Sequence, residues 1–215
     1  ERILNKLTPS GFSHNVQSKR VVDFLENDGK GLNLTREVVD GIVNHKSDGK
    51  PKTLEGRAVS LADRIAYINH DIDDAIAGGF IEFNDLPKDV VKALGTTSSE
   101  RINTMIKAIA TESTGLNKVE MQDSVWKHTN ALRDFLFERV YKNKTFLEEE
   151  MRADKMLTAL YEHFLKNPKN LPEFYFNEIE RDGLDTAICD YLSSMSDGYA
   201  ISTFKGLFIP KTWKL

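Results

Sequence analysis

The residues best suited to chemistry lie along one side of a predicted helix within residues 61–74. At about 100° per residue, Tyr67 and Asp71 fall within roughly 80° of Asp63, and Arg64 lies about 100° away. The same side also carries His70 and Asp74. Aspartate binds metal ions, and arginine and tyrosine hold phosphate oxygens, so this face could bind a cation and an anionic ligand together. A solvated polar face explains the same spacing and is the commoner case.

An apolar stripe on the opposite side of this segment predicts that the helix packs on a core. The stripe consists of Leu61, Ile65, Ile68, Ile72 and Ile76. Helical periodicity also dominates the rest of the chain, and no strand pattern is convincing, so the predicted fold class is all-α. The other predicted helices cover residues 1–7, 15–26, 35–44, 87–95, 100–112, 124–142, 145–166, 173–181, 183–195 and 197–208. Thr35 is the expected N-cap of the third of these.

Composition narrows the class of protein. The 215 residues are 40% hydrophobic and carry a net charge of −4, which is enough for a real core and argues against broad nucleic-acid binding. A single cysteine, Cys189, excludes an internal disulfide and favours a reducing cytoplasm. No apolar run reaches the roughly 18 residues of a membrane span, and no signal peptide is visible. Because the chain begins at Glu1 in helix-like sequence, we expect it to be part of a longer protein.

The histidines offer few candidate metal-binding or proton-transfer sites. His70 and Asp71 are adjacent, so their side chains point about 100° apart on a helix and need not share a metal. His14 lies at the start of a predicted helix, where an imidazole can exchange a proton with a phosphate oxygen or water. An incidental histidine beside a cap residue is an equally good explanation. The remaining histidines are interpreted as structural or exposed, and both tryptophans as core: His45, His128, His163, Trp126 and Trp213.

Three segments resemble the deoxyguanosine triphosphate triphosphohydrolase family, a branch of the HD-domain phosphohydrolases. Residues 11–20 read GFSHNVQSKR and resemble its Phe-x-His-Asn-x-Gln-Ser-x-Arg segment. Residues 53–75 resemble its long segment containing Leu-Ala-Asp-x-Ile-Ala-Tyr and His-Asp-Ile-x-Asp-Ala. Residues 191–200, continuing to Trp213, resemble its C-terminal signature. The resemblance implies an HD-type helical bundle with additional C-terminal helices, in which residues 1–80 belong to the catalytic core and 81–215 to a family-specific helical region.

The resemblance also implies an activity and a cofactor. Family members hydrolyse a deoxynucleoside triphosphate at the α-phosphate, releasing the deoxynucleoside and triphosphate. A divalent metal ion, expected to be Mg²⁺ or Mn²⁺, is held by a distant histidine, a His-Asp doublet and a final aspartate. Asp63 matches the final aspartate, and the other ligands are absent from this chain. The His70-Asp71 pair is therefore not the family's doublet, and this stretch is expected to be inactive alone.

The remaining site residues follow from the same matches. Arg64 and Tyr67 match positions that contact substrate phosphates, and Asp71 matches one that contacts the sugar 3′-hydroxyl. His14 matches a pocket histidine, and Glu1 resembles a glutamate that assists a catalytic histidine. The usual arginine of the C-terminal signature is replaced here by Gly198. The expected partners are a deoxynucleoside triphosphate, with dGTP foremost, and further copies of the protein in a homo-oligomer.

Two other interpretations stay open. A non-catalytic nucleotide-binding or oligomerisation module would keep the binding residues without hydrolysis, and the missing ligands favour it for this stretch. Another HD phosphohydrolase acting on a nucleoside monophosphate or cyclic nucleotide is disfavoured, because Arg64, Tyr67 and Asp71 suit a deoxynucleotide with a triphosphate.

Overall fold

The computed structural model describes residues 1–46 and 48–211, and this part of the chain is helical with no strand. The predicted all-α class is therefore confirmed. Trp213, expected in the core, lies outside the described residues. The helices in chain order are α1 (Arg2–Leu7), α2 (His14–Arg20), α3 (Glu26–Gly29), α4 (Arg36–Val43), α5 (Leu54–Ala77), α6 (Lys88–Leu94), α7 (Ser98–Ser113), α8 (Asp123–Leu136), α9 (Lys144–Lys166), α10 (Glu173–Asn177), α11 (Ile179–Asp182), α12 (Leu184–Ser193) and α13 (Asp197–Phe208).

Contacts divide the chain into two compact units. The central unit comprises residues 33–147, and the terminal unit combines residues 1–32 with the described part of 148–215. The boundary expected near residue 80 falls inside the central unit, and the assignment of residues 1–80 to a catalytic core stays a prediction. No helix of the described residues is both long and apolar enough to cross a membrane.

The core of the central unit forms on the apolar stripe of α5. Ile65, Ile68 and Ile72 are buried there with Met105 of α7 and Leu132 of α8. The predicted stripe is thus the packing face of α5, because a 3.6-residue period brings these positions to one side of the helix.

The start of α5 depends on a cap and on a close backbone approach. Thr53 accepts a hydrogen bond from the Gly56 amide at 3.0 Å, which satisfies one free amide of the first turn. A Cβ at Gly56 would lie 2.8 Å from Cβ of Pro51 and 3.3 Å from Cα of Gly41, so this crossing of α4 and α5 requires a glycine. Thr35 caps α4 through the Val38 amide, as predicted.

The core of the terminal unit is built by α9 and α12 around the short α1. Leu4 of α1 is buried with Leu160 and Phe164 of α9 and with Ile188 and Leu192 of α12.

Three helical segments depart from the predicted continuous helices. The segment predicted over 15–26 begins as α2 and widens into a π-helical turn at Val21–Leu25. The segment predicted over 124–142 begins as α8 and ends in a π-helical turn at Phe137–Tyr141. Residues 173–181 form two short helices, α10 and α11, rather than one. Periodicity over a dozen residues does not distinguish such local changes of helix type.

Candidate functional site

The predicted residues lie in two groups. Asp63, Arg64, Tyr67 and Asp71 belong to α5 of the central unit and are called the α5 polar face. Glu1 and His14 belong to the terminal unit.

The α5 polar face differs from a merely solvated face at Arg64. Asp63 is exposed, and Tyr67 and Asp71 are half-buried, but Arg64 is only 8% exposed. Burial raises the pKa of Tyr67, and the charges of Arg64 and Arg133 oppose that rise. The Tyr67 hydroxyl therefore stays protonated at neutral pH and is available as a hydrogen-bond donor.

Arg64 is held by an aromatic ring and an amide rather than by a carboxylate. Its guanidinium lies over the Trp126 ring, 4.5 Å from the centroid, and its Nη1 donates to Oδ1 of Asn130 at 3.3 Å. Among residues 1–46 and 48–211, no carboxylate forms an ion pair with it. Burial lowers the pKa of Arg64; Tyr67 opposes that fall, and the neighbouring charges of Arg133 and Arg57 add to it.

A buried guanidinium among other cations leaves a net positive charge to be compensated. An arginine stays protonated in proteins, so the charge persists despite the lowered pKa. Arginine matches the planar oxygens of phosphate and carboxylate with paired hydrogen bonds. The surroundings of Arg64 are therefore suited to an anionic ligand.

Asp71 has a partner that sequence reasoning missed. Tyr141, in the π-helical turn after α8, donates its hydroxyl hydrogen bond to the Asp71 carboxylate. Burial raises the pKa of Tyr141, and the bond to Asp71 raises it further, so the hydroxyl remains a donor over the physiological range. The Tyr141 ring packs edge-on against Phe137, with centroids 5.1 Å apart. Asp71 is thus oriented from outside its own helix.

The residues that complete this face come from one later segment: Trp126, Asn130, Arg133 and Tyr141. They recur at intervals of three, four and eight positions, a spacing that could have indicated one side of a helix. The sequence contained no signal that this side of the later segment packs against α5.

Asp63 does not form a metal site with the other described residues. In residues 1–46 and 48–211, no three histidine, cysteine, aspartate or glutamate side chains lie close enough together to hold a metal ion. One exposed carboxylate does not fit a divalent cation, which takes about six or more oxygen ligands and is usually held by several protein groups or substrate phosphates. The described residues therefore do not fit the expected metal on their own.

Glu1 and His14 lie within hydrogen-bonding distance of each other. Nδ1 of His14 lies 2.5 Å from Oε2 of Glu1, and both side chains are about half-exposed. Burial by itself raises the pKa of Glu1, but the hydrogen bond and charge of His14 outweigh it and hold that pKa below its usual value. An ionised carboxylate only accepts, so the imidazole donates from Nδ1.

The Glu1–His14 pair borders a cavity of about 380 Å³ in the terminal unit. Gln17, Asp190 and Ser194 also line this cavity. A carboxylate that orients an imidazole is the usual arrangement for general acid–base catalysis. The pair is chemically competent to move a proton at a ligand in this cavity.

Comparison with known proteins supports the resemblance found in the sequence. Residues 119–206 match a family model described as a phosphohydrolase-associated domain. A deoxyguanosinetriphosphate triphosphohydrolase-like protein of Caldanaerobacter subterraneus subsp. tengcongensis is 45% identical, over 99% of this chain and 63% of that protein. Proteins with the same name from Clostridium tetani and Geobacter metallireducens are 41% and 31% identical, over 98% of this chain and over 64% and 68% of their own lengths.

The chain belongs to the deoxyguanosinetriphosphate triphosphohydrolase-like family. It spans just under two thirds of the length of the first two of these relatives. The phosphohydrolase-associated match includes Trp126, Asn130 and Tyr141, which contact the α5 polar face of this family member. It also includes Asp190, which lines the same cavity of the terminal unit as His14.

Proposed function

We propose that the protein containing this chain hydrolyses deoxynucleoside triphosphates, with dGTP as the expected substrate, to the deoxynucleoside and triphosphate. The names of its relatives support a triphosphohydrolase-like role. The single observation that carries the proposal is Arg64, buried against Trp126 with no carboxylate partner among the described residues. An anionic phosphate chain would supply the charge that this position lacks.

Three residues of the α5 polar face, Arg64, Tyr67 and Asp71, have a proposed part in substrate binding. Arg64 and Tyr67 hold triphosphate oxygens, through charge-assisted and hydroxyl hydrogen bonds. Asp71, oriented by Tyr141, accepts a hydrogen bond from the sugar 3′-hydroxyl. A sugar held at this point favours 2′-deoxyribose through close fit.

The Glu1–His14 pair has a proposed part in proton transfer. Cleavage breaks the bond between the α-phosphorus and the 5′-oxygen, and the oxygen of water ends in the triphosphate. The 5′-oxygen must gain a proton, and an imidazole oriented by a carboxylate can assist that transfer.

The proposed metal, Mg²⁺ or Mn²⁺, needs more ligands than the described residues contain. Asp63 is proposed to supply one of them, and the others would come from sequence outside this chain. We therefore derive no step through the metal from these residues.

The test compares this 215-residue chain with the complete protein encoded by its reading frame. Triphosphate release from dGTP is measured with Mg²⁺ or Mn²⁺ present. We expect hydrolysis by the complete protein, loss of turnover in Asp63→Ala, and no hydrolysis by the shorter chain. Near-normal turnover by Asp63→Ala would contradict the role of Asp63.

A second substitution tests the observation on which the proposal rests. Arg64→Ala in the complete protein should raise KM for dGTP more than it lowers kcat, because it removes binding to the phosphates. Arg139→Ala is the matched control, since Arg139 is an exposed arginine of the same unit, 3.9 Å from Asp85. An unchanged KM in Arg64→Ala would count against its phosphate role.

The second candidate function is a non-catalytic nucleotide-binding or oligomerisation module. The lack of metal ligands beside Asp63 in the described residues favours it. Binding of dGTP without hydrolysis by the complete protein would establish it in place of the first. Homo-oligomer formation stays a prediction, and light scattering of the complete protein tests it.

A further inference from the structure

The two residues of the Glu1–His14 pair lie at the starts of two short helices, and both helices contact α12. Glu1 precedes α1, which has six residues, and His14 begins α2, which has seven. Isolated helices of this length are not stable in water, so their positions depend on tertiary contacts. Each of the two helices has one set of polar contacts with α12, and these sets involve the consecutive residues Cys189 and Asp190.

Cys189 of α12 receives the end of α1. The Thr8 hydroxyl lies 2.7 Å from Sγ of Cys189, and both residues are buried. Leu4 of α1 packs in the same core as these contacts, and Arg2 forms an ion pair with Asp154 of α9. The helix that carries Glu1 is therefore held against α9 and α12.

Asp190 of α12 receives α2. Its side chain is 1% exposed, and its carboxylate accepts hydrogen bonds from two residues of α2. Nε of Arg20 lies 2.9 and 2.8 Å from the two Asp190 oxygens, and its Nη2 lies 2.7 Å from Oδ2. Nε2 of Gln17 donates to Oδ1 at 2.7 Å. Gln17 lies one helical turn beyond His14, so the anchor is close to the start of α2.

The connection between the two helices turns at Gly11, where φ is +76°, and the Phe12 amide donates to Oδ1 of Asn5 at 2.9 Å. Alternative arrangements of α2 would leave the buried Asp190 carboxylate without donors, which is strongly unfavourable. The arrangement that supplies Asp190 with its donors is also the one in which His14 lies within reach of Glu1.

We propose that Asp190 is a positioning residue that holds His14 in hydrogen-bonding reach of Glu1. The functional consequence rests on the proposed triphosphohydrolase activity, in which this pair moves a proton. Asp190 itself acts through α2, by fixing Gln17 and Arg20, and needs no contact with substrate.

The direct test is the tautomer of His14 in the complete protein. Nitrogen-15 shifts of the imidazole at pH 8 report which ring nitrogen carries the proton. Comparison with His14→Gln identifies the His14 signals among those of the other histidines. We expect a protonated Nδ1 in the native chain, and loss of that signature in folded Asp190→Asn.

Asp182→Asn is the matched control, because Asp182 is the other carboxylate bound to Arg20, at 2.5 Å. This variant removes a partner of the same arginine but leaves Asp190 in place, so the His14 signature should be unchanged. An Asp190→Asn chain that folds, judged by circular dichroism, and keeps the native signature overturns the proposal. Equal loss of the protonated-Nδ1 signal of His14 in Asp182→Asn also overturns it, because the position of His14 would then not depend specifically on Asp190.

If Asp190→Asn does not fold, Gln17→Met decides instead. This substitution removes the hydrogen bond from Gln17 to Asp190 and keeps the contact between Arg20 and Asp190. We therefore expect a partial shift of the nitrogen-15 signals of His14. An unchanged signature in folded Gln17→Met overturns the proposal.

Turnover of the complete protein separates this inference from the proposed function. Asp190→Asn should lower kcat for dGTP by about 10- to 100-fold with little change in KM, because the proton-transfer pair is misplaced. Absence of hydrolysis by the native protein would refute the proposed function alone, since the tautomer test does not depend on turnover.

Discussion

Two arginines in this protein are held in opposite ways. Arg20, in the terminal unit, binds Asp190 and Asp182. Arg64, in the central unit, is more buried but rests on Trp126 and Asn130, with no carboxylate partner in the described part of the chain. Burial alone would lower the pKa of Arg20, but its two carboxylates raise it, whereas burial and neighbouring cations both lower the pKa of Arg64.

The difference distinguishes a structural arginine from one suited to a ligand. A buried charge that is neutralised by carboxylates holds two elements together, as Arg20 holds α2 to α11 and α12. A buried charge that lacks such partners gains most from an anion that arrives later. Arg101, in the same unit as Arg64, is a structural arginine like Arg20, because it binds the Asp73 carboxylate at 3.2 Å and Oδ1 of Asn69 at 2.8 Å.

The largest expected effect is on stability. Arg20→Met should lower the free energy of unfolding by about 3–5 kcal/mol, because it leaves Asp190 buried without its cation. Arg64→Met should change it by less than about 1 kcal/mol, because the lost ring contact is offset by removal of an unpaired buried charge. Urea denaturation of the 215-residue chain measures both. Equal losses for the two variants would remove the distinction between the arginines.

The next effect concerns the ligand. Arg64→Lys should weaken dGTP binding by about 10-fold, because lysine keeps the charge but loses the planar fork and its stacking on Trp126. Calorimetric titration of the complete protein measures it, with Arg139→Lys as the exposed control. Native affinity in Arg64→Lys would mean that charge alone suffices there.

A pair of tyrosines sharpens the comparison between the units. Tyr141 donates to Asp71 beside the α5 polar face, and Tyr161 donates to Asp185 at 2.5 Å in the terminal unit. Each Tyr→Phe substitution should lower the free energy of unfolding by about 1 kcal/mol, since each removes one hydrogen bond to a carboxylate. Only Tyr141→Phe should also weaken the preference for dGTP over GTP, measured as the ratio of kcat/KM values. A similar change in Tyr161→Phe would refute a specific role of the Tyr141–Asp71 bond.

The smallest expected effect is the dependence of the free energy of unfolding on acid pH, through Asp182, which binds Arg20. Hydrogen bonds from Arg181 and then Arg20 outweigh burial and lower the pKa of Asp182 to about 2. A carboxyl whose pKa is lower in the folded state contributes stability above its ordinary pKa, and this stability is lost as pH falls through the folded value. The free energy of unfolding should therefore fall between about pH 4 and pH 2, and Asp182→Asn should flatten that slope. Acid titration followed by circular dichroism measures both chains, and identical slopes would exclude Asp182 as the group responsible.

Local patterns accounted for much of the fold. The stripe of Ile65, Ile68 and Ile72 was recognisable because a helical period repeats every few residues. The cap at Thr35 depends on an amide three residues away and was equally accessible. The π-helical turn that carries Tyr141 was not, because its period differs little from that of an α-helix over so short a stretch.

The amino-acid sequence by itself indicated where most of the helices lie, the apolar side of α5, the membership of the family and the six candidate residues. Only the tertiary structure decided that Arg64 is buried without a carboxylate, that Tyr141 donates to Asp71, and that Asp190 receives α2. The physical reason is the separation along the sequence between the residues that interact. A helix and its cap follow from residues within a few positions of one another, whereas Tyr141 and Asp71 lie 70 positions apart, and Arg20 and Asp190 lie 170 apart. Which such residues meet depends on how whole helices pack, and no local period encodes that.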